Sequence, residues 1–130
     1  FRSNFVKTRE PKIGKQIPEF ALKDINGNEV RKGDLLGKRS MAFLLTLTCT
    51  YCQDVVKDIR RREEENNGHR PQFIVLADGE PAELAEWGLK SPVLIDKNYK
   101  MAVEFGLHGA PAAVLIGEDG TILSESAVGA

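Results

Sequence analysis

The sequence predicts an α/β protein: a three-layer sandwich in which helices cover a central mixed sheet, with a β-hairpin at its N-terminal end. Apolar runs of strand length alternate along the chain with segments whose apolar residues recur at helical spacing, an order typical of parallel strands joined by helices. The last two runs are separated only by a turn at residues 118–120, which predicts an antiparallel pair at one edge.

The hairpin is predicted from alternation and from a turn signal. Phe20 and Leu22 alternate with polar residues, as in a strand with one buried face. Asn26 and Gly27 then form a strong hairpin-turn signal. Residues 29–31 are therefore predicted to be the returning strand.

A polar connector at residues 32–38 leads to the first central strand, predicted over residues 41–47. This continuous apolar run is typical of a strand buried on both faces. The next segment predicts a helix that ends at the Asn-Asn-Gly sequence of residues 66–68. Its apolar residues follow the spacing i, i+3, i+4, i+7 and are Cys52, Val55, Val56 and Ile59.

Further strands and two shorter helices complete the predicted order. Proline and glycine bound a short helix at residues 81–88. A helix at residues 98–105 is expected to be capped by Asp96 or Asn98 and ended by Gly106. The remaining strands are predicted at residues 72–77, 93–95, 112–116 and 121–123.

Size and charge limit the domain organisation and the partners. The 130 residues fit one domain, predicted over residues 13–130. A formal net charge of −1 gives no long-range field that would attract nucleic acid. Residues 1–12 are polar, basic and aperiodic, so they are predicted to be a linker, such as a tether that follows a cleaved signal or a membrane anchor.

The chemistry is predicted from the only two cysteines, Cys49 and Cys52, which form a C-x-x-C motif where a strand gives way to a helix. The free N–H groups and the dipole of a helix start favour an anionic sulfur. A second thiol within the first turn can attack a mixed disulfide and release the product. The motif predicts a dithiol that exchanges with other disulfides, in which Cys49 is exposed and attacks, and Cys52 is covered and resolves.

Other uses of the two cysteines fit the sequence less well. A bond between them would close too small a loop to stabilise the fold by much. His69 and His108 are far apart in the sequence and match no zinc-site spacing. Two thiolates nevertheless suit Cu(I), so a copper-handling, non-enzymatic module stays open as an alternative.

Several motifs together resemble the thioredoxin-like superfamily. The resemblance is strongest to its redoxin branch of alkyl hydroperoxide reductase/thiol-specific antioxidant proteins and TlpA-like or MauD-like bacterial thiol–disulfide oxidoreductases. It extends over about residues 13–126. The segments that carry it are Ile17-Pro18-x-Phe20-x-Leu22, Asn26-Gly27, the apolar strand that leads into C-x-x-C, Phe-Gly-Leu-x-Gly-Ala-Pro-Ala-Ala-Val-Leu-Ile at residues 105–116, and Asp119-Gly120.

The resemblance implies a thioredoxin-like fold and a thiol–disulfide oxidoreductase that needs no cofactor and no metal. By this resemblance, Cys49 is the nucleophile, Cys52 is the resolving thiol, and Pro111 is a cis-proline beside them. The backbone of Ala110 would pair with an incoming substrate strand. The implied partners are protein thiols and disulfides and an upstream dithiol electron donor or acceptor, in an extracytoplasmic bacterial setting.

Around the dithiol the sequence departs from common family patterns. Thr50 and Tyr51 stand between the cysteines, where the family often has proline, and they are expected to contact the substrate. Thr48 stands where tryptophan is common. Phe43 occupies the position at which thioredoxins often carry a buried acid, and Asp54 is close in sequence; the proton acceptor for the resolving thiol is therefore unassigned.

A thiol-dependent peroxidase is the other alternative. Peroxiredoxins resemble this chain in the hairpin and carry the pattern P-x-x-x-T-x-x-C around their reactive cysteine. Counted back from Cys49, Thr46 matches the threonine, but Ala42 stands in place of the proline. The pattern is thus only half present.

Overall fold

The computed structural model describes residues 12–65 and 70–127. The predicted linker, apart from Lys12, and the predicted helix end at residues 66–68 lie outside these ranges. Within them, none of the helices has the length and apolar character needed to span a membrane. The division of the chain into a linker and one domain remains a prediction.

The strands form two sheets, and their bounds are β1 (Ala21–Lys23), β2 (Glu29–Arg31), β3 (Ser40–Leu44), β4 (Gln72–Ala77), β5 (Val93–Ile95), β6 (Ala112–Ile116) and β7 (Ile122–Ala127). β1 and β2 pair as an antiparallel hairpin. The other five form one sheet in the order β5-β4-β3-β6-β7. β3, β4 and β5 are parallel, and β6 is antiparallel to both β3 and β7, which is the predicted mixed sheet with an antiparallel edge.

Three α-helices connect the strands of the large sheet: α1 (Thr50–Glu64), α2 (Pro81–Ala85) and α3 (Lys100–Glu104). Each follows one of the parallel strands β3, β4 and β5. The predicted alternation of strand and helix is therefore confirmed.

The large sheet is buried on both faces, as its apolar runs predict. On one face, Phe43 and Val75 pack against the apolar stripe of α1 and against Leu84 of α2. On the other face, Leu44 and Val114 belong to a core that also holds residues of the hairpin and of α3. The hairpin and the helices are thus the outer layers of the predicted sandwich.

The connector predicted at residues 32–38 is partly helical. It contains a 3-10 helix, Lys32–Leu35. Leu35 is buried in the same core as Ile17 and Phe20, and the burial of its side chain explains why this mostly polar segment folds back against the domain.

The third α-helix begins later than predicted. Asn98 and Tyr99 have left-handed backbone conformations, with φ of 58° and 56°, and they interrupt the helix expected there. The buried carboxylate of Asp96 accepts hydrogen bonds from the N–H groups of Met101 at 3.0 Å and Ala102 at 2.8 Å. Asp96 therefore satisfies the free N–H groups of α3 across the intervening turn.

Two strand lengths also differ from the prediction. β3 stops at Leu44 because the chain turns away from the sheet towards α1; the N–H of Leu45 makes one more bond, to the carbonyl of Leu76 at 3.2 Å. β7 continues to Ala127 because its backbone pairs with the whole length of β6, as far as Ala112.

Candidate active site

The register of one strand pair brings distant parts of the chain together. β3 and β6 are antiparallel, with Leu44 opposite Ala112. Ala110 and Pro111, which directly precede β6, therefore lie beside the segment that leads from β3 into α1. Cys49 is the N-cap residue of α1, so it meets Ala110 across 61 positions of the sequence.

Cys49 is a free thiol at the start of α1. Its Sγ donates a hydrogen bond to the carbonyl oxygen of Ala110 at 3.8 Å. The residue is half-buried rather than fully exposed, because it packs with Ala110 at the edge of the core. The first N–H groups of an α-helix lack intrahelical partners, so they can stabilise an anionic sulfur at this position.

Cys52 is a free thiol with an exposed fraction of 0%. Burial raises the pKa of this thiol, and the neighbouring Cys49 raises it further, to about 11, while hydrogen bonds from Thr46 lower it. The side chain is therefore protonated at neutral pH and shielded from disulfides outside the protein. This position agrees with the covered, resolving role predicted for Cys52.

Thr46 contacts the buried thiol, which the sequence did not indicate. Its backbone N–H donates to Sγ of Cys52 at 3.4 Å, and its hydroxyl oxygen lies 4.0 Å from the same sulfur. In the half-matched peroxidase pattern this threonine was paired with Cys49. The chain turn between β3 and α1 directs it to Cys52 instead, and spacing along the sequence does not specify that turn.

The two residues between the cysteines are both exposed. Thr50 is the first residue of α1, and 60% of Tyr51 is accessible to solvent. A large exposed aromatic ring two residues after Cys49 offers a contact surface for a peptide. The assignment of Thr50 and Tyr51 to substrate binding remains a prediction.

The peptide bond between Ala110 and Pro111 is cis, as the resemblance implies. The carbonyl of Ala110 faces Sγ of Cys49, so one side of the site consists of backbone. Pairing of Ala110 with a substrate strand remains a prediction.

The two positions considered for an acid do not supply one next to Cys52. Phe43 is buried and packs edge-to-face against Phe73, with ring centroids 5.5 Å apart. Asp54 is exposed on α1, and it is not among the groups that shift the pKa of Cys52. Neither residue is placed to take the proton that Cys52 must lose.

A cavity of about 470 Å³ lies between α1 and the central sheet. It shares Phe43, Val55 and Ala113 with the core around Cys52, but neither cysteine lines it. The cavity is therefore adjacent to the dithiol and is not its entrance. Its other lining residues are Met41, Asp54, Asp58, Ile59, Arg62, Arg70, Pro71 and Phe73.

Comparison with known protein families gives a match over most of the chain. The model of the AhpC/TSA family matches residues 13–124. The chain is also similar to the thiol-disulfide oxidoreductase ResA of Bacillus thuringiensis. The two are 26% identical over an alignment that covers 96% of this chain and 75% of that protein.

Solved structures of similar shape include a candidate thiol:disulfide interchange protein DsbE from Chlorobium tepidum. It has a TM-score of 0.78 and 17% identity, and the match covers 91% of this chain and 86% of that one. A secreted disulfide oxidoreductase of Mycobacterium tuberculosis has a TM-score of 0.68 and 18% identity, with 79% of each chain covered. At these identities the likeness concerns the fold, and it confirms the predicted thioredoxin-like sandwich.

Proposed function

The chain belongs to the AhpC/TSA family, and from this membership and the geometry of its two thiols we propose that it exchanges disulfides with other proteins through Cys49 and Cys52. The relative named a thiol-disulfide oxidoreductase bears out the predicted enzyme class. One observation carries the assignment of roles. Cys49 is partly exposed at the start of α1, whereas Cys52 is buried within the first turn of the same helix.

In the reducing direction the exchange has two steps. The Cys49 thiolate attacks one sulfur of a substrate disulfide, and the second substrate sulfur leaves with the electron pair of the broken bond. Cys52 then loses its proton and attacks the Cys49 sulfur. The Cys49–Cys52 bond forms, the bond to the substrate breaks, and the departing sulfur takes up a proton. Two electrons and two protons pass to the substrate, and the reverse sequence oxidises a substrate dithiol.

The substrate strand approaches between Tyr51 and Ala110. In the reduced protein the carbonyl oxygen of Ala110 accepts a hydrogen bond from the Cys49 thiol at 3.8 Å. When Cys49 loses its proton it can no longer donate that bond. The carbonyl then becomes available to an N–H group of the substrate, next to the attacking sulfur.

The experiment that tests the function measures the oxidation of Cys49 and Cys52 by a protein disulfide. Reduced protein mixed with excess insulin should lose both thiols, convert one insulin disulfide into two thiols, and accumulate an intramolecular Cys49–Cys52 disulfide, seen as the loss of two hydrogens by mass spectrometry. In parallel, hydrogen peroxide consumption with a dithiol donor is measured. Rapid peroxide turnover without transfer to insulin would instead identify a peroxidase.

A Tyr51→Ala variant should raise KM for a protein disulfide by roughly fivefold, which corresponds to about 1 kcal/mol. The reason is the loss of the exposed ring next to Cys49. Turnover of a small disulfide such as cystine should stay within about twofold, because such a substrate does not extend to the ring. Steady-state kinetics with both substrates provide the measurement.

The matched control for Tyr51 is Leu123→Ala. Leu123 is also an exposed apolar residue, at 46%, but it lies at the end of β7 where Ile122 pairs with Ile116, away from the end where Ala127 pairs with Ala112 beside the site. This variant should keep the KM of the parent for both substrates. Equal effects of the two substitutions would argue that Tyr51 is not a substrate contact.

The proposal extends to the compartment and the redox partner. One protein of the same fold is secreted, which supports an extracytoplasmic bacterial location, with a membrane tether before residue 1. A second dithiol protein would return the Cys49–Cys52 pair to its starting state, since the pair must be recycled after each exchange. Fractionation of cells that produce the tagged full-length gene product tests this location, and recovery in the cytosol would contradict it.

A further inference from the structure

Cys52 must lose a proton in the resolving step, yet burial holds the pKa of its thiol at about 11. In the reduced protein, where Cys49 adds to the effect of burial, only about one Cys52 thiol in ten thousand is ionised at pH 7. The two positions considered for a buried acid are occupied by Phe43, in the core, and by Asp54, exposed on α1. Hydrogen bonds from Thr46 already lower this pKa against the effect of burial, so the resolving step of the proposed exchange depends on the contacts that favour the thiolate.

We propose that Thr46 is the positioning residue for the resolving step, because its backbone N–H and its hydroxyl together hold Sγ of Cys52 and stabilise it as a thiolate. This inference rests on the proposed disulfide exchange. The N–H lies 3.4 Å from the sulfur and the hydroxyl oxygen lies 4.0 Å from it. Both contacts come from one residue that the turn between β3 and α1 places against the helix.

The backbone contact is held in place by the sheet. The N–H of Leu45 bonds the carbonyl of Leu76 at 3.2 Å, so the chain is still attached to β4 one residue before Thr46. The next N–H is thereby directed at the sulfur. An N–H group is a donor only, so this bond favours the thiolate over the thiol.

The hydroxyl group can serve both protonation states. It can accept the S–H of the thiol, and after rotation of its own O–H it can donate to the thiolate. Hydrogen bonds to an ionised partner are stronger than those between neutral groups. The contact at 4.0 Å is therefore expected to shorten when Cys52 ionises, and the proton that Cys52 loses passes to the substrate sulfur that leaves Cys49.

Two other titratable groups are near enough to act on Cys52 or to respond to it. Cys49, on the same helix, raises its pKa. Tyr99 is the other, from the turn that follows β5. The pKa of Tyr99 is raised mainly by burial and next by the charge of Asp78, and an ionised Cys52 raises it further. Neither group stabilises the thiolate, so Thr46 is the group near the sulfur that opposes the effect of burial.

The test separates the two steps of the exchange with the aromatic disulfide 5,5′-dithiobis(2-nitrobenzoate). Reduced protein should release one equivalent of the coloured thiolate in a phase that depends on reagent concentration, when Cys49 attacks. A second equivalent should follow in a phase that does not depend on it, when Cys52 resolves the mixed disulfide. The rate of this second phase is recorded against pH.

Thr46→Val removes the hydroxyl and keeps the size and the backbone N–H. It should slow the second phase roughly threefold to tenfold at pH 7 and displace its pH profile to higher pH. Thr46→Ser keeps the hydroxyl and should stay within about twofold of the parent. Thr46→Ala is a second variant without the hydroxyl, for use if the valine variant does not fold.

Thr48→Val is the matched control, since it makes the same chemical change at an exposed threonine two residues away. Its second phase should match that of the parent. The proposal is overturned if both hydroxyl-free variants resolve as fast as the parent, or if Thr46→Ser is as slow as they are. Absence of the first phase in the parent protein would instead refute the exchange activity itself, which keeps the two failures distinct.

Discussion

A Cys49→Ser variant should lose disulfide exchange by about a thousandfold or more. Serine is not a nucleophile towards disulfides, and the remaining thiol, Cys52, is fully buried, which raises its pKa. Reduction of insulin, followed by turbidity, measures the loss. The variant should remain folded, because the Cys49 side chain is only half-buried and its hydrogen bond to the Ala110 carbonyl is long, at 3.8 Å.

The partner variant, Cys52→Ser, should have the opposite phenotype. Cys49 still attacks, but the mixed disulfide has no thiol beside it that could resolve it, so covalent adducts with substrate proteins should accumulate. Non-reducing electrophoresis and mass spectrometry of the adducts would show a bond at Cys49. Equal trapping by Cys49→Ser, or no adducts with Cys52→Ser, would contradict the assignment of attacking and resolving roles.

A Phe105→Ala variant should lower the free energy of unfolding by about 3–5 kcal/mol. Phe105 has an exposed fraction of 0%, and its ring packs edge-to-face on Phe20, with centroids 5.6 Å apart. The ring therefore joins the hairpin layer to the end of α3. Truncation removes this apolar contact and leaves a cavity that rigid neighbouring elements cannot close. Urea denaturation of the reduced protein at neutral pH, followed by circular dichroism, measures the change.

Val103→Ala is the control in the same helix. Val103 has an exposed fraction of 46%, so its truncation should change the free energy of unfolding by less than about 0.5 kcal/mol. If Phe105→Ala lowered the free energy of unfolding no more than Val103→Ala, the described packing of Phe105 on Phe20 would be contradicted.

Much of the fold could be predicted because local patterns and tertiary packing agree. After one polar residue at the start of each strand, β3 and β4 are apolar at every position, and both faces of these strands contribute to the core. The apolar stripe of α1 likewise predicts which side of this helix is buried, because the stripe and the packing agree. Where a single long-range contact decides the local structure, the prediction fails. The short helix that buries Leu35 against Ile17 and Phe20 is one case. The late start of α3 has a local cause instead, because left-handed conformations at Asn98 and Tyr99 interrupt the helix.

The residues of the candidate site also fall into those that local sequence predicts and those that long-range contacts bring together. Cys49 and Cys52 are visible in the sequence because their spacing and their position between a strand and a helix are local features. Pro111 could be connected with them only by resemblance, since the register of β3 and β6 brings it to the site. The contact of Thr46 with Cys52 depends on the path of the turn that follows β3, and no periodicity describes such a path.

The sequence by itself determined the chemistry available to this protein: two thiols at the start of an amphipathic helix, which can exchange disulfides. The tertiary structure decided how strongly the surroundings of the two thiols differ. Packing against the sheet buries Cys52 and raises its pKa to about 11, and the sheet register places the Ala110 carbonyl 3.8 Å from Cys49. Burial and long-range contacts arise only when distant segments meet, so the difference between two identical side chains could not be read in full from their neighbours in the chain.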